Sequence, residues 1–198
     1  MVILTDGRHA FSKLLGITSD PTPEELRQIR KEEATRAVKA LGVPEKNLFF
    51  LDFEDGSLKK YEKEIKGKIL AIMKRYSPVE VYLPHSKDHN PDHKTTNRIV
   101  KQCIKKSGLS PKCFQYSIVQ KYARIGPFID KLINLFKKHI VEVDISNFVF
   151  FKKKAIEQYK SQISIISRRQ NRPIIDSVRI QKFLSDKERF YVDKIVNA

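Results

Sequence analysis

Apolar and polar positions along this chain follow two periods, and proline, glycine and aspartate mark the switches between them. Val2-Ile3-Leu4 is a short apolar run that ends at Thr5-Asp6-Gly7, the pattern of a strand entering a turn. Gly16 to Pro23 carries loop chemistry. Thr22 then reads as an N-cap, Pro23 takes the first helical position, and Glu24 and Glu25 suit the positive helix terminus. The helix runs to about Leu41, with Leu26, Ile29, Ala34, Ala37, Val38 and Leu41 as its inner face and Gly42 closing it. Leu48-Phe49-Phe50-Leu51 is a continuous apolar strand, stopped by Asp52 to Gly56.

The same alternation continues. Leu58 to about Tyr76 predicts an amphipathic helix with Ile65, Ile69, Leu70 and Met73 inside, and Val79 to Pro84 a third strand. Lys94 to about Ser107 predicts a helix, and Gln115 to Val119 a fourth strand. Beyond these, Val141 to Ile145 reads as a strand, Phe148 to Gln162 as a helix, and Ile180 to Ile195 as a last helical stretch. Strands alternating with helices of this length predict an α/β fold: a Rossmann-like, doubly wound, mainly parallel sheet in one domain over 1–198. In such sheets ligands bind outside the carboxyl ends of the strands. The loop Asp88-His89-Asn90-Pro91-Asp92-His93 leaves the strand ending at Pro84 and stands at that place.

Composition narrows the function classes. No run of about 18 apolar residues exists, so no membrane span is predicted, and the first residues lack the basic flank and apolar stretch of a signal peptide. Cys103 and Cys113, without a second pair, form neither a disulfide framework nor a zinc ribbon, and they suit a reducing cytoplasm. The net charge of +16 would suit a nucleic-acid binder. However, its lysines and arginines are scattered in twos and threes, as at Lys59-Lys60, Lys152-Lys153-Lys154 and Arg168-Arg169, which favours a solvated basic surface. Nucleic acid is the least favoured partner, although the charge assists capture of any anionic substrate.

Histidines concentrate at the candidate loop: His85, His89 and His93, with Asp88 and Asp92 interleaved. Imidazole and carboxylate together are the ligand set of zinc and similar divalent metals. Pro84 and Pro91 argue against one helix carrying all three rings, so a loop feeding a helix that starts near Asp92 or His93 is expected. An exposed polar loop, or Asp92 acting simply as an N-cap, would give the same pattern.

Asn90-Pro91-Asp92-His93 resembles the His-x-Asp-His motif of the LmbE/PIG-L family of zinc-dependent N-deacetylases. The surrounding chain is similar in order and spacing: Val2 to Gly7 resembles the family's second strand and turn. Arg30-Lys31-Glu32-Glu33-Ala34 followed by Leu41-Gly42-Val43 resembles its Arg-x-x-Glu-Ala helix. Phe53-Glu54-Asp55-Gly56 resembles the segment after its third strand, and Asp144-Ile145-Ser146 with Lys152 to Ala155 and Lys160-Ser161-Gln162 its ending. The resemblance implies a zinc-dependent hydrolase removing an N-acetyl group from an N-acetylglucosamine-type sugar conjugate. His93 would be a zinc ligand, and Asp92 a carboxylate orienting a catalytic group. Asn90 would stand where the family has its proton-carrying histidine. Arg30 would contact substrate oxygens, unless it pairs with Glu33 on the helix surface. Lys160, Ser161 and Gln162 read as structural.

Two departures qualify that implication. The family's first strand, its covering helix and its His-Pro-Asp-Asp segment, which supplies two zinc ligands and the catalytic base, have no counterpart in the chain as written. The expectation is therefore an N-terminally truncated and catalytically impaired member, since catalytic zinc takes three protein ligands and an open position. Asparagine at position 90 can donate a hydrogen bond to an oxyanion but cannot carry a proton. An inactive sugar- or anion-binding descendant is the alternative, followed by a basic nucleic-acid binder. The pattern leaves a homo-oligomer open.

Overall fold

A computed structural model describes residues 1–117 and 140–193, with no side chain described at 193. The chain divides into two compact units, each discontinuous in sequence: Met1–Ser57 with Asp144–Lys187, and Leu58–Val143 with Glu188–Ala198.

In the first unit, β1 (Val2–Thr5) pairs in parallel with β2 (Phe49–Phe53). Between them lie α1 (Ala10–Leu15) and α2 (Pro23–Ala40). The expected start of α2 is present in full: Thr22 Oγ1 accepts from the Glu25 N–H while the Glu25 carboxylate accepts from the Thr22 N–H, with Pro23 at the first turn. Leu26, Ala34, Ala37 and Val38 are buried along one face. Leu41, expected on that face, is instead half exposed, because the helix ends there and Gly42 turns the chain at φ +74. The short α1 had no periodic signal. It forms because Phe11 packs with Ile17 and Leu26 into one buried cluster, so tertiary burial outweighs weak local preference.

The returning segment supplies α5 (Val149–Ile156), a single turn α6 (Lys160–Ile163) and α7 (Ser177–Phe183). The helix expected from Phe148 to Gln162 is thus broken at Glu157–Tyr159. The break has a partner: Glu33, at 1% exposure, accepts from Ser161 N–H and from Ser161 Oγ–H, each at 2.7 Å. A buried carboxylate needs such donors, and α6 is turned to provide them.

In the second unit, the chain passes through a 3₁₀ turn (Leu58–Tyr61) into α3 (Glu62–Tyr76), then β3 (Glu80–Pro84), α4 (Pro91–Ser107) and β4 (Lys112–Tyr116). β3 and β4 are parallel, in register from Glu80–Lys112 to Pro84–Tyr116. Leu58, Ile65, Leu83, Ile99, Cys103, Ile104 and Cys113 fill this unit's core at 0–1% exposure, each fully buried aliphatic side chain contributing about 1.5–3 kcal/mol. The four-stranded sheet continues through β6 (Lys187–Asp193), antiparallel to β4, and then β5 (Ile140–Asp144).

The helix expected over Ile180 to Ile195 is therefore corrected: α7 ends at Phe183, and Lys187-Glu188-Arg189-Phe190-Tyr191-Val192 forms a strand. The free edge of β4 selects it, a long-range pairing that a local pattern does not encode. The strand expected over Gln115 to Val119 starts earlier, at Lys112, and its last two positions lie outside the described residues. The fold class is α/β with parallel pairing, as expected, and its strands fall into two hydrogen-bonded sheets.

Replacing Glu33 with alanine leaves the buried Ser161 donors without their acceptor. Urea unfolding of E33A is expected to show a loss of about 2–4 kcal/mol, and stability equal to wild type would show that this buried bond does not hold α6.

Candidate active site

The loop between β3 and α4 is set by three polar anchors. The His85 N–H extends the strand ladder to the Tyr116 carbonyl at 2.9 Å. The buried Asn97 amide donates to the Pro84 carbonyl and to Gln115 Oε1, both at 2.7 Å. Gln115 Oε1 also accepts from Ser86 N–H at 3.0 Å. The exit of β3 is thus tied to α4 and to β4, and the loop leaves it in a fixed direction.

Within the loop each carboxylate or amide organises the next turn. Asp88 Oδ1 accepts from Asn90 N–H at 2.9 Å, and Asn90 Oδ1 accepts from Asp92 N–H at 2.8 Å. Asn90 is therefore the N-cap of α4 and Pro91 its first residue. The helix expected to start near Asp92 or His93 starts at Pro91, and the alternative of Asp92 as its cap is corrected to Asn90. Asp92 is inside the helix, buried, with Oδ1 accepting from the Leu58 N–H at 3.2 Å.

The carboxylate beside the His93 ring is Asp88: Oδ2 lies 3.1 Å from Nδ1. The two atoms are close but not aligned as a hydrogen bond, and both are buried with no other partner among the described residues. Burial pushes the Asp88 carboxyl upward, but the backbone N–H groups of Asn90 and His89 and the His93 ring outweigh it and hold it below the usual range. A carboxylate at one imidazole nitrogen is the arrangement that leaves the other nitrogen as a metal donor. His85 and His89 do not join this pair. His85 Nδ1 accepts from Lys87 N–H and its ring packs on Tyr191, while His89 is exposed. Among the described residues, no three His, Cys, Asp or Glu side chains converge as a metal ion requires. The described residues therefore do not make up a complete catalytic zinc site.

Arg30 lies in the first unit, and its surroundings are described separately from the His93 loop. Its Nη1 and Nη2 donate to the Gln162 amide oxygen, turned toward it, at 2.9 and 3.0 Å. The guanidinium carbon stands 6.0 Å from the Tyr159 ring centroid. Gly7, at φ +70, approaches on another side, where a Cβ would meet Arg30 Nε at 3.4 Å. Asp6 fixes that turn, with Oδ1 accepting from Arg8 N–H and Oδ2 from Arg8 Nε. Burial pushes the Arg30 guanidinium down from its ordinary value, opposed by the charges of Glu33, Tyr159 and Asp55. The simple surface pairing of Arg30 with Glu33 is replaced by this setting, since Ser161 takes the Glu33 oxygens. Sequence reasoning missed Asp88 as the His93 neighbour and Gln162 as the Arg30 acceptor. The Asp-x-Asn-Pro spacing, which predicts successive side-chain-to-backbone turns, could have signalled the first.

Two predictions separate architecture from chemistry here. Asn90→Ala removes the cap of α4 and is expected to cost about 1 kcal/mol in thermal or urea unfolding, whereas Asn90→Asp keeps an accepting oxygen and most of the stability. Gly7→Ala forces a Cβ into the left-handed region against Arg30 and is expected to cost about 1–2 kcal/mol. Unchanged stability in Gly7→Ala would mean that the turn relaxes away from the guanidinium.

Comparison with known proteins gives a consistent picture. The sequence profile of the family described as PIG-L, GlcNAc-PI de-N-acetylase, matches residues 1–104. Among solved structures, the chain is similar to an N,N′-diacetylchitobiose deacetylase from Pyrococcus horikoshii complexed with an inhibitor, at 19% identity and TM-score 0.64, covering 98% of this chain and 72% of that one. It is also similar to GalB, the 4-carboxy-2-hydroxymuconate hydratase from Pseudomonas putida, at 14% identity and TM-score 0.66 over 97% and 81% of the two chains. A triple mutant of a deacetylase from the teicoplanin biosynthetic pathway matches at 14% identity and TM-score 0.59, over 96% and 78%. At these identities the structures speak for the fold, and one fold here hosts both deacetylases and a hydratase.

Proposed function

Because the chain belongs to the GlcNAc-PI de-N-acetylase (PIG-L) family, we propose that it is a zinc-dependent hydrolase directed at the N-acetyl group of an N-acetylglucosamine-type sugar conjugate, and that the chain as written is catalytically impaired. The observation that carries the reading is the extent of the family match: it runs into α4 and includes the whole Asp88–His93 loop with its buried carboxylate–imidazole pair.

Amide hydrolysis needs an activated water, a stabilised carbonyl oxygen and a proton for the leaving amine. A zinc ion, when bound, supplies the Lewis acid and the acidified water, and His93 is the residue that would hold it. Asp88, 3.1 Å from Nδ1, sets a negative charge beside the His93 ring and favours the orientation that leaves Nε2 for the metal. Asp92, which accepts from the Leu58 N–H, acts by holding the first turn of α4, and with it His93, in place. Asn90 commits its Oδ1 to the helix cap, so its NH₂ is the end that can donate to a carbonyl oxygen. It carries no proton to the amine, which is one source of the impairment. The incomplete set of metal donors among the described residues is the other. Arg30, held by Gln162 and Tyr159, presents a permanent cation to sugar or phosphate oxygens.

The second reading is a sugar- or anion-binding protein without turnover, and the same two deficits favour it. A nucleic-acid-binding role stands third and would show steeply salt-dependent affinity.

Free-amine release from an N-acetylglucosamine conjugate, with and without added zinc, tests the proposal. Slow, zinc-stimulated release is expected, lowered about 10–100-fold in Asp88→Ala and at least as far in His93→Ala. Saturable sugar binding with no amine at any zinc concentration would establish the binding-only reading instead.

A further inference from the structure

The first unit carries an aromatic and basic surface that the catalytic reading does not use. Phe148, Phe150 and Phe151 at the start of α5 are 62%, 59% and 46% exposed, far beyond what burial would leave for phenyl side chains in a core. Lys152, Lys153 and Lys154 follow directly. Phe150 and Lys154 share one helical face, with the Lys154 ammonium 4.3 Å from the Phe150 ring centroid, and Phe150 and Phe151 meet edge to face at 5.7 Å. The opposite side of α5 is committed to its own unit: Ala155 is buried and the helix packs on α2. The same order of residues recurs later in that unit, where exposed Ile165 and Ile166 precede exposed Arg168 and Arg169.

We propose that the exposed face of α5 docks this protein onto an anionic lipid bilayer, with Phe150 and Phe151 entering the headgroup boundary and Lys153 and Lys154 meeting lipid phosphates. Exposed aromatic rings beside ammonium groups suit a bilayer surface, where rings enter the headgroup boundary and basic groups meet anionic lipid, and lysine stems can lie along the apolar boundary while their heads stay in water. Charge complementarity selects this occupant over a second copy of the chain. A two-fold contact through α5 would set each lysine cluster against its own copy, in a protein whose net charge is already +16. No helix among the described residues is long and apolar enough to cross a membrane. The inference stands apart from the hydrolase reading, and its test needs no turnover.

The experiment is co-sedimentation of the full chain with vesicles of phosphatidylcholine containing phosphatidylserine, against vesicles of phosphatidylcholine alone. Binding only to the anionic vesicles, weakened by salt, is expected. Reversal of charge in Lys153→Glu, Lys154→Glu should weaken it roughly tenfold or more, and Phe150→Ser, Phe151→Ser should weaken it at unchanged net charge. All four positions are exposed, so circular dichroism should show both variants folded. The protein has no tryptophan; Phe150→Trp therefore introduces a single reporter whose emission should shift to the blue on anionic vesicles alone. Equal binding by the phenylalanine variant, with a tryptophan emission that does not move, would reduce the effect to diffuse charge and overturn the proposal. So would an absence of vesicle binding, or a wild-type dimer that Phe150→Ser, Phe151→Ser converts to monomer.

Discussion

The candidate site depends on how the chain is held as it leaves β3. Among the described residues the ladder ends with the His85 N–H on the Tyr116 carbonyl, and the peptide groups of Pro84 and Ser86 need side-chain partners. Asn97 from α4 and Gln115 from β4 supply them, and they also bond each other. One amide pair thus couples strand exit, helix and neighbouring strand, and a buried polar network of this kind has a single satisfied arrangement. The direction of the loop, the cap at Asn90 and the place of His93 one turn into α4 all follow from it.

From that point the loop is built by short-range bonds that the sequence spells out in order. Asp88 turns the chain at Asn90, and Asn90 caps the helix that presents His93. The side chain that organises the turn also stands beside the imidazole, so Asp88 links the architecture of the loop to its chemistry. Arg30 has a comparable setting built from distant parts of the chain: a glycine that leaves room, an aromatic ring and an amide oxygen. Neither setting is an ordinary surface arrangement, since both bury polar atoms that an exposed loop or helix would leave to water.

Much of this was legible beforehand, for reasons that can be stated residue by residue. Thr22, Pro23 and Glu25 announce α2 because the capping box is local chemistry. The Ile65, Ile69 and Met73 spacing announces the buried face of α3 in the same way. The placement of the candidate loop at a strand's carboxyl end was legible from the alternation of elements. What was not legible depended on distant partners. β6 is a strand because β4 presents an edge, α1 is a helix because Phe11 finds Ile17 and Leu26, and the break before α6 answers the buried Glu33. At the site, local reading placed His93 at the start of a helix but could not choose between Asp88 and Asp92 as its neighbour. That choice rests on the N-cap falling at Asn90, which turns Asp92 toward Leu58.

The interleaving of the two units along the chain bears on how the polypeptide is made. The first unit requires residues as far as Lys187, and the sheet of the second draws a strand from beyond it. Emerging from the ribosome in order, β4 waits for its antiparallel partner until β6 (Lys187–Asp193) has been synthesised. During that interval the aromatic flank of β4, including Phe114, which later meets Phe190, is available to nascent neighbours. The second unit's sheet is therefore closed only after translation has passed Asp193, and the interval between the synthesis of β4 and that of β6 is when its edge is open to chaperones and to aggregation.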